Sequence, residues 1–138
     1  MDKALNYLSL ARKAGRAELG EEPVGAAARA LTAAVILVAS DASDHTWRRA
    51  KSFAAGTKQQ CVRLPYTKDE MGMAIGRSAL AVAAITDPAL ALALVEALGQ
   101  PELYQTQLEE LRIKTEKVKK RQAEEKAHQK NVRMGKKK

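Results

Sequence analysis

Ala34-Val35-Ile36-Leu37-Val38-Ala39 is an unbroken apolar run, and it ends abruptly in Ser40-Asp41-Ala42-Ser43-Asp44. Six apolar residues without a polar interruption do not alternate as a half-solvated strand would. The run predicts a strand covered on both faces. Ser43 or Asp44 caps the helix expected next, from about Asp44 to Ala55, and Gly56 stops it. A buried strand followed at once by a capped helix points to an α/β architecture.

The same alternation extends in both directions. Downstream, Gln60 to Leu64 reads as a second core strand closed by Pro65. Thr67 and Glu70 have the spacing of a capping box, which starts a short helix ending near Gly76. Ala79 to Thr86 is a further apolar strand, and Asp87-Pro88 opens a helix running through Ala97 to Gly99. Upstream, Asp2 to Ala14 is an amphipathic helix ended by Gly15, and Arg16 to Leu19 is short enough for an edge strand or a turn. Gly20 closes a polar connection into a helix from Pro23 to about Thr32, with Glu21 and Glu22 beside the positive end of its dipole. The pattern predicts a three-layer α/β/α sandwich around a small mixed sheet. It does not give the strand order.

Charge divides the chain. Residues 1–111 carry 12 Lys/Arg and 13 Asp/Glu, whereas residues 112–138 carry 12 Lys/Arg and 3 Asp/Glu. All of the net charge of +8 therefore resides in the tail. From Pro101 onward Leu103, Leu108, Leu111, Thr115 and Val118 form a thin stripe, predicting a solvent-exposed basic helix to about Ala127 and a disordered end. Two units follow, residues 1–100 as a folded domain and 101–138 as a basic tail. The single Cys61, in an apolar setting, is expected to be a buried, inert thiol in a reducing compartment. No apolar run approaches the roughly 20 residues needed to cross a bilayer. Tyr7, Arg12 and Lys13 interrupt the N-terminal leucines. A cytoplasmic protein without membrane partners is expected.

Four pieces, taken in order, resemble a known family. They are Leu8-Ser9-Leu10-Ala11-Arg12-Lys13-Ala14-Gly15-Arg16; Gly20-Glu21-Glu22; Leu37-Val38-Ala39-Ser40-Asp41-Ala42-Ser43 with Thr46; and Met71-Gly72-Met73-Ala74-Ile75-Gly76 with Ala83-Ala84-Ile85-Thr86-Asp87. Over roughly residues 3–98 the chain resembles the kink-turn RNA-binding ribosomal-protein family of the L-seven-Ae type, most closely its small bacterial YlxQ-like branch. The resemblance implies an α/β/α sandwich that meets RNA at one end. The loop and helix start at Gly20, Glu21, Glu22 and Val24 would enter a widened groove. Arg77, Ser78, Ala79 and Leu80 would pack against extruded bases. Regular A-form RNA hides its major groove from side chains, so such a protein reads kinks and splayed bases. Where the family pattern after the glycine places a small residue, Asn or Lys, then Glu or Gln, and later a Lys, this chain has Glu21, Glu22, Pro23 and, for the lysine, Ala26.

Arg12, Lys13 and Arg16 are candidate phosphate contacts that would offset Glu21 and Glu22. Lys117, Lys119, Lys120 and Arg121 lead the tail candidates, followed by Lys126, Lys130, Arg133 and Lys136 to Lys138. Trp47 is expected to anchor packing, with base stacking as its alternative, and Arg48 and Arg49 to lie on an exposed helix face, with a functional role beside Trp47 as theirs. Catalysis has little to draw on. The histidines are His45 and His128 alone, no Cys/His spacing suits a metal, and neither a phosphate loop nor a nucleophile elbow is present. The expectation is a non-enzymatic, cofactor-free, ribosomal-protein-like RNA binder with structured RNA as partner. The alternative is a protein-interaction module whose tail helix pairs with a protein partner.

Overall fold

Four short strands form one sheet in the order β1-β4-β2-β3: β1 (Ala17–Leu19), β2 (Val35–Val38), β3 (Gln60–Arg63) and β4 (Val82–Ile85). The protein's structure, a computed structural model, describes residues 2–135, with side chains through residue 128. Lys136 to Lys138 lie outside the described residues, as do the side chains of Lys130 and Arg133. The sheet is mixed: β2 runs parallel to β3, and β4 runs antiparallel to both β1 and β2. Every residue of the two central strands, β2 and β4, is buried.

Among the described residues six helices cover the sheet: α1 (Lys3–Lys13), α2 (Glu21–Arg29), α3 (Asp44–Ala54), α4 (Lys68–Ala74), α5 (Pro88–Ala97) and α6 (Gln105–Gly135). On one face α1 packs against α4 and α5, and α5 against α6; on the other α2 packs against α3. This is the expected three-layer sandwich. Its helix starts are fixed by local chemistry. Asp2, Ser43, Thr67 and Asp87 each accept a backbone N–H of the helix they precede, and Thr67 and Glu70 complete the capping box.

Some of these expectations are revised. Helix α2 starts at Glu21, two residues before Pro23, because Gly20 takes φ 97° and turns the chain into the helix early. Pro23 still falls in the first turn, where its missing N–H costs nothing. Strand β3 is an edge strand rather than a second core strand, and only Val62 of its four residues is buried. Cys61 is accordingly half-buried, and desolvation pushes its thiol up to about 11, which keeps it protonated. The start of α6 is docked, not solvent-exposed. Tyr104, Leu108, Leu111 and Thr115 share one helical face and are buried, while Leu103 and Val118 stay outside. The Tyr104 hydroxyl donates to Arg63 O (3.3 Å) and the Lys114 ammonium to Lys58 O (2.6 Å), so α6 lies along the outer edge of β3. The helix continues through Gly135, where a disordered end was expected.

Candidate nucleic-acid interface

The ends of β1 and β2 and the beginning of β4 meet at one end of the sheet. The Gly20 N–H donates to Val82 O (3.0 Å), and the Ala39 N–H to Ala81 O (2.9 Å). Strand pairing therefore brings together three segments: the start of α2, the Ser40–Ser43 loop and the Arg77–Leu80 loop. The two segments expected to act together, Gly20–Val24 and Arg77–Leu80, adjoin strands β1 and β4 that pair at this end of the sheet.

The start of α2 has an unusual set of groups. Gly20 supplies no side-chain cap and Pro23 no N–H, so the amides of Glu21 and Glu22 face outward with the helix dipole behind them. The carboxylates of Glu21 and Glu22 oppose an anion here. One of them is compensated: Glu21 Oε1 lies 3.1 Å from Arg49 Nε on α3, an ion pair set off the hydrogen-bonding direction. Arg49 also lies over the Phe53 ring, 5.6 Å from its centroid. A shallow depression of about 510 Å³ opens at this point, lined by Glu21, Glu22, Pro23, Ala26, Arg29 and Arg49. The helix start is thus less acidic than its local sequence implies, because a cation from a distant segment folds onto it.

The second segment is pinned against α4. The Arg77 N–H donates to Gly72 O and the Leu80 N–H to Lys68 O, both at 2.8 Å. Arg77, Ser78 and Ala79 are exposed, whereas Leu80 is buried, as is Val24 on α2. Leu80 and Val24 hold the backbone of their segments and keep their side chains in the core. Met73, 78% exposed on the last turn of α4, adds apolar surface just before the loop. Asp41 accepts the Lys68 N–H at 2.8 Å and ties the start of α4 to the same end.

The other candidate cations lie elsewhere. Arg12 and Lys13 occupy the last turn of α1, and Arg16 precedes β1, where its carbonyl accepts the Thr86 N–H at 2.9 Å. Arg16 and Gly20 flank β1 at its opposite ends, roughly 13 Å apart along an extended strand. The cluster Arg12, Lys13 and Arg16 therefore does not flank the Gly20 loop. Lys117, Lys119, Lys120 and Arg121 are exposed on α6 beyond its docked turns. Lys119 borders a second depression of about 390 Å³ with Lys3, Tyr7 and Thr115, between α1, α5 and α6. Among the described residues no group of His, Cys, Asp and Glu could hold a metal ion, and no helix is long and apolar enough to cross a membrane.

No protein-family model matches the chain, and no curated protein matches its sequence. Solved structures do. A Bacillus halodurans protein of unknown function superposes with a TM-score of 0.67 at 23% identity, over 72% of this chain and 99% of that one. The 15.5kD RNA binding protein of Giardia lamblia superposes with a TM-score of 0.59 at 19% identity, over 73% of this chain and 86% of that one. The fold is shared. Arg49 is exposed on α3, as one of its two sequence readings has it, and pairs with Glu21 at this end, which the sequence does not show. Its distance in sequence from Glu21 hides the pairing.

Proposed function

We propose that the chain is a non-enzymatic RNA-binding protein of the ribosomal-protein-like, kink-turn-binding kind, acting in the cytoplasm. It docks a kinked or bulged RNA through the start of α2 and the Arg77–Leu80 loop. The observation that carries this reading is the Gly20 N–H to Val82 O bond at 3.0 Å, which brings the start of α2 to the end of the sheet where the Arg77–Leu80 loop enters β4. Support also comes from the fold shared with a Giardia lamblia RNA binding protein.

The chemistry suits irregular RNA. Outward amides at a helix start receive a phosphate, and the exposed Arg77 with Met73 beside it offers charge and an apolar surface to a splayed base. The basic part of α6 adds phosphate contacts that carry no sequence information. No catalytic step is assigned to the chain. His45 is exposed on the first turn of α3, and His128 is exposed on α6.

The test is binding of the full chain and of Arg77→Ala to a kinked RNA and to a straight duplex of equal length, at low and moderate salt. A preference for the kinked RNA that Arg77→Ala reduces about tenfold supports the reading, since loss of a charged base or phosphate contact is worth about 1–3 kcal/mol. Equal affinity for both RNAs, lost at moderate salt, would leave the tail as the only RNA-binding element.

A further inference from the structure

Outside the tail, the segment from α3 to β3 carries a marked excess of basic residues. Residues 44–63 carry Arg48, Arg49, Lys51, Lys58 and Arg63 against the single acid Asp44. Trp47, the one tryptophan of the chain, stands in the first turn of α3 and is only half-buried. Two cations address its ring: the Lys51 ammonium 5.1 Å from the centroid and the Arg63 guanidinium 5.3 Å from it. Arg63 is held in place, with Nη2 donating to Ser40 O (3.1 Å) and Ala42 O (3.4 Å). Lys51 is exposed, and among the described residues it has no ion pair. These residues belong neither to the start of α2 nor to the Arg77 loop.

We infer that the Trp47–Lys51–Arg63 surface is a separate docking site for single-stranded RNA. One unpaired base stacks on Trp47, and the flanking phosphates meet Lys51 and Arg63. The inference rests on the RNA-binding reading above and extends it to a second class of RNA element. A ring with fixed and mobile cations beside it suits this ligand. An incoming base takes the place of the Lys51 ammonium over the ring, and the ammonium swings to the adjacent phosphate. Base–aromatic stacking of this kind tolerates any sequence. A paired base inside a duplex keeps its faces covered and cannot reach the ring. An acidic protein segment offers the charge but no π-face. The site also adjoins the proposed kinked-RNA end, because the Arg63 guanidinium is bonded to carbonyls of the Ser40–Ser43 loop. One RNA with an unpaired strand beside a kink can engage both.

The single tryptophan makes the test local. The full chain is titrated with a single-stranded RNA of about six nucleotides, and Trp47 emission is followed. Inorganic polyphosphate and polyglutamate serve as base-free polyanions. Binding of labelled hexamer and labelled kinked RNA is read in parallel by anisotropy. The expected result is saturable quenching by the hexamer and none by the polyanions. Lys51→Gln and Arg63→Gln shift the midpoint to higher RNA concentration, and Trp47→Leu weakens hexamer binding about tenfold. Hexamer that binds by anisotropy without quenching overturns the inference, as does equal quenching by a polyanion. Kinked RNA bound without hexamer quenching overturns this site and leaves the first reading standing. Hexamer quenching without kinked-RNA binding does the reverse.

Discussion

A Cβ added at Gly72 would stand 2.7 Å from both the Cα and the backbone N of Ala79. Helix α4 and the Arg77–Leu80 loop thus touch backbone to backbone, and the loop takes its position from that contact. Gly72→Ala forces the backbone apart, since no flexible side chain is there to yield. The expected outcome is a loss of about 1–3 kcal/mol in urea unfolding. Affinity for kinked RNA falls with it, because Arg77 and Ser78 move. A fall in stability with kinked-RNA binding unchanged would detach the loop from the interface.

Gln59 is the second position where one side chain fixes a junction. Only 6% exposed, its Oε1 accepts the Ala33 N–H at 3.0 Å and its Nε2 donates to Ala28 O at 3.1 Å. It closes the end of α2 onto the start of β3. Gln59→Leu keeps much of the volume but leaves the buried Ala33 N–H without a partner, whereas Ala28 O keeps the Leu31 N–H. One orphaned group costs about 1–3 kcal/mol, and a loss of that size is expected in the same denaturation. A loss under about 0.5 kcal/mol would mean that water reaches the Ala33 N–H.

Much of this molecule is legible in its sequence, and the boundary has a physical cause. The apolar run at Val35–Val38, the caps at Asp2, Ser43, Thr67 and Asp87, and the edge position of Ala17–Leu19 are local patterns with local consequences. What escaped depends on partners distant in the chain. Gln60–Arg63 resembles a core strand until the order β1-β4-β2-β3 places it at the edge. The stripe Leu108, Leu111 and Thr115 reads as the thin apolar line of a solvent-exposed helix until β3 and α5 supply a surface for it. Leu31 takes φ 60°, a left-handed conformation usually left to Gly or Asn, where the Leu31 N–H meets Ala28 O to end α2. The candidate site divides in the same way. The meeting of Gly20–Val24 with Arg77–Leu80 was implied by resemblance, whereas the Glu21–Arg49 pair and the cations around Trp47 arise only from packing.

Acid should weaken the fold through Asp2. Its carboxylate accepts the Tyr66 hydroxyl at 2.6 Å and the Ala4 N–H at 2.9 Å. The Tyr66 bond first, and the helix-capping amide second, hold the carboxyl below its ordinary value of 3.8. A carboxyl whose folded pKa is depressed contributes stability that is present above its unfolded pKa and lost as pH falls through the folded one. The contribution should therefore be full near neutrality, begin to fade near pH 4 and be lost as pH falls through the lower folded value. Asp2 is exposed, so solvent keeps the effect small. Unfolding midpoints measured from pH 6 downward should decline less steeply for Asp2→Asn than for the parent chain. Parallel declines would place the acid sensitivity elsewhere.

Helix α6 joins two roles that separate at Thr115. Before it, Tyr104, Leu108 and Leu111 are part of the core; after it, every described side chain is exposed. Leu111 is fully buried, so Leu111→Ala should cost about 2–4 kcal/mol and leave the salt dependence of RNA binding unchanged under conditions where the variant is folded. Ending the chain at Glu116 should do the opposite. The melting temperature should hold, while the slope of log affinity against log salt falls by about 0.7–0.9 for each phosphate contact removed. Ending it at Gln100 should lower the melting temperature steeply, because the edge of β3 and the outer side of α5 lose their cover. If the chain ending at Glu116 melted as low as the one ending at Gln100, the exposed turns would be structural. If its salt slope matched the parent's, the tail cations would not contact RNA.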